Sequence, residues 1–196
     1  MEKRGLKSNY IITFINSFLF LLLFCVIYTL TRCFIKALKT NEEIKLWVLF
    51  FGLASPFIFY TFFANLNGIY EKIQSFFFKH TFLNLIIPSL LIVLALGYFF
   101  IPKIFSFSFN LHIFLFLGSI AFSLHFIFVA YQLKSSTFSG FINYLFILSM
   151  IYIFCLVIFG IYLLIGYSFP LKEILGEGIK EGFSLIKSIV LQLFYK

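Results

Sequence analysis

Acid–base and metal chemistry need carboxylates, imidazoles or thiols that can meet, and this chain supplies few. It contains no Asp, and its seven carboxylates are Glu2, Glu42, Glu43, Glu71, Glu173, Glu177 and Glu181. From Phe76 to Lys172 there is none. That gap leaves out aspartyl proteolysis inside a membrane, metal-dependent phosphotransfer on paired aspartates, and carboxylate proton relays at bilayer depth. The histidines are His80, His112 and His125. His112 and His125 fall on one predicted helix about 19 Å apart, a separation that suits two stacked haems, but their rings diverge by about 140° around the axis. No second pair of ligands stands on the other stretches, so no haem, metal or other cofactor is expected. No serine sits in a GxSxG elbow, and no glycine-rich phosphate loop is present. Cys25, Cys33 and Cys155 form no CxxC and read as small apolar fillers. The residue set predicts a protein that is not an enzyme.

The remaining polar residues suggest packing or a pathway. Pro56 and Pro88 each remove a backbone donor within an apolar stretch, so both helices are expected to bend there. Gly52, Ser55 and Ser89 surround these bends. Paired breaks free backbone groups that can hold an ion or substrate at the midplane of a transporter. The residues that would line such a pathway, or serve ordinary packing, are Pro56, Asn65, Asn84, Pro88, Ser89, Ser119 and His125. Ser119 also belongs to a strip with Gly118, Ala121 and Ser123, small enough for close helix approach, and packing within the chain is the expected use. Pro102 and Pro170 read as span ends. Glu71 and Lys72, in the connection after the second stretch, read as a solvated charge pair.

The elements that must position these residues are helices in a membrane. Five apolar stretches cover residues 10–31, 45–66, 82–101, 110–132 and 141–168, each of about 20 residues or more, enough to cross roughly 30 Å of hydrocarbon. Of 196 residues, 62% are hydrophobic and 11% charged, so no soluble domain can be separated from them. The expected fold class is an all-α integral membrane protein: a five-helix transmembrane bundle over residues 1–168, with an amphipathic C-terminal helix over 169–196. Lys3, Arg4 and Lys7 precede a run too long for a secretory signal and without a small-x-small cleavage site, so the run is read as a span that stays. The 33 Phe scatter over every stretch and read as generic apolar positions.

A net charge of +8 does not point to nucleic acid here, because the Lys and Arg sit at span ends, where they anchor to headgroups. By side, six positive residues face nine, or five without the tail. This balance favours a cytoplasmic C-terminus and a cytoplasmic (inner) membrane.

The tail is the one segment with a clear helical period. Its apolar residues are Leu171, Ile174, Leu175, Ile179, Phe183, Ile186, Ile189, Val190, Leu193 and Phe194, with charged and polar residues between them. Leu175 lies on this candidate docking face. Gly176, Gly178 and Gly182 each weaken an isolated helix by about 1 kcal/mol, so its order depends on a surface: the membrane interface, a second protein or a second copy.

The run Ala54-Ser55-Pro56-Phe57, with Lys79-His80 and Ile87-Pro88-Ser89, is similar to the second and third spans of the twin-arginine translocase family. Thr81 stands where a loop glutamate would fall, the fourth stretch has no glutamate and a sixth span is missing, so neither fold nor function is carried over. The expected function is a non-enzymatic subunit or scaffold that sits in the lipid bilayer as a homo-oligomer or with other membrane subunits, its tail the docking element. The alternative is a small permease or channel with a site between the second and third spans.

Overall fold

The computed structural model describes residues 2–62, 66–105, 110–135 and 140–194. They form eight helices and, among the described residues, no strand: α1 (Glu2–Thr40), α2 (Leu46–Phe62), α3 (Leu66–Phe77), α4 (Thr81–Ile86), α5 (Ser89–Phe105), α6 (Leu111–Ser135), α7 (Phe141–Tyr167) and α8 (Leu171–Phe194). Among the described residues, three apolar segments are long enough to cross a membrane: Phe14–Thr40 of α1, Leu111–Leu133 of α6 and the whole of α7. Leu46–Phe59 in α2 and Ser89–Ile104 in α5 are shorter apolar helices. The chain is an integral membrane protein.

Several boundaries differ from the sequence expectation, each for a local reason. α1 does not stop near residue 31 but runs on to Thr40, carrying Arg32, Lys36 and Lys39 on helix. Between Gly5 and Gly52 there is no Gly or Pro to end it. The stop is Asn41, whose side-chain oxygen accepts the Glu43 N–H at 3.1 Å in an Asx turn, while its Nδ2 donates to the Tyr167 carbonyl at 3.0 Å. One side chain thus turns the chain and ties the end of α1 to the end of α7. The expected loop at 67–81 is largely α3, an amphipathic helix that buries Tyr70 and Gln74. The third stretch is broken at Ile87–Pro88 into α4 and α5, whereas α2 continues through Pro56. Pro102 lies inside α5 and does not end it; so near the helix terminus, it forfeits only the bond to the Tyr98 carbonyl.

Directions alternate along the chain. Asn16 Nδ2 donates to Asn143 Oδ1 at 2.7 Å at one end, and Asn41 meets Tyr167 at the other, so α1 and α7 lie parallel. Phe114 stacks on Tyr162 and Phe126 meets Tyr152, which sets α6 antiparallel to α7. Gly52 of α2 lies against Ser119, and the Leu53 carbonyl accepts from Ser123, so α2 runs parallel to α6.

The core is a column of rings. Tyr98, Phe114, Tyr162 and Phe159 follow one another with centroids 4.2, 4.0 and 6.2 Å apart, and Phe34 continues it at 6.1 Å from Phe159. Glycines make room for it: a Cβ on Gly118 would lie 2.1 Å from the Tyr162 ring, and one on Gly166 would lie 2.6 Å from that of Phe114. The Tyr162 hydroxyl donates to the Phe114 carbonyl at 2.6 Å, so its polar end is satisfied inside the bundle.

After α7 the chain reverses sharply. Ser168 takes a left-handed conformation (φ 48°), Phe169 is buried, and α8 runs back antiparallel along α1. Gly178 faces Leu30 and Gly182 faces Val26, where an added Cβ would stand 3.0 Å from each Cα. Thr29 Oγ1 donates to the Gly178 carbonyl at 2.7 Å, and the Arg32 guanidinium pairs with Glu181 at 2.5 Å. The two glycines that would weaken an isolated helix are the points of closest approach, spaced by four as in small-residue crossings of membrane helices. Leu171 and Ile174 are also buried, Leu175 is half-buried, and Ile179, Phe183 and Val190 stay exposed.

Gly178→Leu should therefore push α8 off α1, with a cost of about 1–3 kcal/mol for overpacking. Limited trypsin digestion at Lys180 and Lys187 should accelerate. Gly176→Ala, with nothing within 4 Å of the added carbon, should leave digestion unchanged or slower.

Candidate functional site at the broken helix

Pro88 has no N–H, and the residue before a proline is driven out of helical geometry. Ile87 accordingly has φ −103° and ψ 113°. α4 ends there, its last internal bond running from the Ile87 N–H to the Leu83 carbonyl at 3.0 Å. The next four carbonyls, those of Asn84, Leu85, Ile86 and Ile87, lose their helical donors. In an interior without water each must find another or cost about 1–3 kcal/mol.

Side chains from three other helices supply them. Gln74 of α3, fully buried, donates through Nε2 to the Asn84 carbonyl at 2.9 Å and to the Ile87 carbonyl. His125 of α6 stands 3.1 Å by Nε2 from the Leu85 carbonyl, and the Cys155 thiol of α7 points weakly at the Ile86 carbonyl at 4.0 Å. Gln74 works in both directions: its Oε1 accepts the Ser89 N–H at 3.2 Å and the Ser89 hydroxyl at 2.5 Å, capping the start of α5. One carboxamide closes the end of one helix and opens the next.

The tautomer of His125 follows from its partners. A carbonyl only accepts, so Nε2 carries the proton toward Leu85. Nδ1 then accepts from the Tyr70 hydroxyl, 3.0 Å away. Both ring nitrogens are engaged, and Tyr70 and Phe128 pack around the imidazole with centroids 6.0 and 6.2 Å from it. Neither nitrogen can act as a ligand or a base without giving up a bond that holds the break. Among the described residues, no group of three or more His, Cys or Glu is placed to hold a metal ion.

The structure divides the sequence-predicted residues between two places. Asn84, Pro88, Ser89 and His125 come together at the α4–α5 break. Pro56 and Ser119 lie at the α2–α6 crossing. Pro56 frees the Gly52 carbonyl, which accepts from Ser55 Oγ at 3.0 Å, while Ser123 Oγ reaches the Leu53 carbonyl at 2.9 Å. Ser119 Oγ bonds back to the Leu115 carbonyl at 2.8 Å. Asn65 lies outside the described residues. Leu175 is on α8, packed against the core edge. Asn84 Oδ1 is buried without a hydrogen-bond partner among the described residues.

Sequence reasoning missed Tyr70, Gln74 and Cys155. The available signal was the four-residue spacing of Tyr70 and Gln74, continued by Leu66, Ile69, Ile73 and Phe77 on a helical period. A second polar region lies between α1 and α8, where Lys36, Asn41, Glu173 and Glu177 line a groove of about 310 Å³.

Compared with protein-family profiles, curated proteins and solved structures, the chain matches none.

Gln74→Leu keeps the side-chain volume but leaves two carbonyls and the Ser89 N–H unpaired. It should lower stability by about 3 kcal/mol or more, read as a fall in the detergent thermal-unfolding midpoint. Tyr70→Phe removes a single bond to Nδ1 and should cost about 1 kcal/mol, roughly a third as much. Equal effects of the two would contradict the central place of the carboxamide.

Proposed function

We propose that this protein is a five-span, non-enzymatic subunit or scaffold of a complex in a cytoplasmic-type membrane, with α8 as its docking element. The observation that carries the reading is the two-sided character of α8. Its Gly178 and Gly182 are covered by α1 and its buried Leu171 lies against Gly160 of α7, while Ile179, Phe183 and Val190 form an open apolar stripe at spacings of four and seven. Beside that stripe run Lys172, Glu173, Glu177, Lys180 and Lys187, and α8 follows a helix long enough to cross a bilayer. Charged side chains at membrane depth cost about 2.5–3.5 kcal/mol each unless they are paired or face water. Another subunit or a second copy of this chain offers α8 both an apolar surface and polar partners along its length.

α2 and α6 run parallel, so the chain must return between them, which supports five crossings with the broken α4–α5 pair as the third. The rival reading, a small permease or channel lined at the two prolines, draws less support. Apart from Asn84 Oδ1, the side chains at those prolines are already bonded: Ser55, Gln74, Ser123 and His125 to freed backbone carbonyls and Ser89 to Gln74.

Mild-detergent affinity purification from native membranes, with mass spectrometry of what co-elutes, tests the proposal. A stoichiometric partner or a defined homo-oligomer is expected. The double variant Ile179→Asp, Phe183→Asp should reduce its recovery at least about tenfold, since two buried apolar contacts of about 1.5–3 kcal/mol each are lost. Resistance of the variant to carbonate extraction should stay as in the parent. An unchanged complex would sink the docking role.

A further inference from the structure

We infer that the groove between α1 and α2 is a lipid site, taking the acyl chain of an anionic phospholipid whose phosphate rests on the basic face of α1. Two observations on adjoining surfaces carry this. A cavity of about 220 Å³ lies between α1, α2, α6 and α7, walled by Leu38, Leu49, Leu53, Phe122 and Phe159. The hydroxyls of Thr31 and Tyr152, which also line it, bond to each other at 2.9 Å. Water in a cavity needs two to four polar partners, and here the nearest hydroxyls are already paired, so the space suits hydrocarbon. Exposed Ile35, Lys39 and Phe50 form its mouth toward the outside of the bundle.

Ile35 and Lys39 also line the second surface, a polar groove on the other side of the same ridge, together with Arg32 and Lys36. Glu181 in that groove is engaged by Arg32, and Glu177 is its other carboxylate. Three cations line this groove against two carboxylates; Glu173 stands with Lys36 in the adjoining groove, which Lys39 does not line, and Lys39 stands where groove and cavity meet. Its flexible stem can lie along the apolar wall while the ammonium holds a phosphate at headgroup level. Basic pockets beside membrane helices recognise anionic headgroups on this principle. The geometry demands both parts at once: an anion near Lys39 and an apolar chain that turns inward past Ile35. α8 docking plays no part in the chain seat, so this site stands or falls separately from the proposed function.

The purified protein, exchanged into mild detergent and incubated with equimolar phosphatidylglycerol and phosphatidylcholine, would be examined by native mass spectrometry for retained lipid. Retention of phosphatidylglycerol over phosphatidylcholine by at least tenfold is expected. Lys39→Glu should cut that retention at least fivefold. Leu53→Phe, which fills the cavity from its wall, should abolish it while size-exclusion behaviour and helical circular dichroism are kept. Equal retention of the two lipids, or retention unchanged in Lys39→Glu, overturns the inference. So does loss in Lys39→Glu with full retention in Leu53→Phe, or displacement of the lipid by soluble glycerol phosphate, since either makes the site a headgroup platform without a chain seat.

Discussion

Where water is scarce, a backbone carbonyl that loses its helical donor has to be given another, and the fold is organised around that requirement. The break at Ile87–Pro88 frees four carbonyls in succession, and Gln74, His125 and Cys155 come from three different helices to meet them. These bonds do more than satisfy the break. They draw the short α3 and α4 onto the flank of α6 and α7, and they fix the height at which α5 begins. The same logic operates on a smaller scale at Pro56, where Ser55 and Ser123 supply donors and α2 stays continuous. The difference between a continuous and a broken helix goes with what stands beside the proline. Nearby hydroxyls let α2 continue, whereas a carboxamide that bonds in both directions makes separate helix ends tolerable at Pro88.

Small and large residues are matched across helices in the rest of the bundle. Rings of Phe114 and Tyr162 lie where Gly166 and Gly118 leave space, and Gly52 meets Ser119 at the α2–α6 crossing. The abundance of Phe, which composition alone renders as generic filler, thus includes a subset with fixed partners. Tyr162 and Tyr167 extend the scheme by turning hydroxyls onto the Phe114 and Leu111 carbonyls at the head of α6.

How much of this was legible in the sequence depends on the range of the interaction. α6 and α7 could be read closely, because more than 20 consecutive residues without Asp, Glu, Lys or Arg, most of them apolar, leave one physical solution in a membrane. The end of α1 could not, since Arg32, Lys36 and Lys39 look like loop charges until their place on an uninterrupted helix is seen. α3 was hidden because Gln74, its most buried residue, is polar, and a carboxamide at a core position breaks the apolar pattern by which helices are found. At the candidate site, residue type pointed to Asn84, Pro88, Ser89 and His125, but their partners stand 10 to 55 positions away and no local spacing encodes them. The tail was legible as a helix with an apolar face; that α1 takes part of that face through Gly178 and Gly182 depends on a crossing no sequence period reveals.

The left-handed turn at Ser168 sends α8 back along α1, and this has a bearing on the order of folding. Thr29 and Arg32 each stand 149 positions before their partners Gly178 and Glu181. Six helices intervene, and until they are made the Arg32 guanidinium has no Glu181 to pair with. Closure of α8 over α1 therefore depends on contacts of very long sequence separation, the kind that form late in folding because the intervening chain must be ordered first.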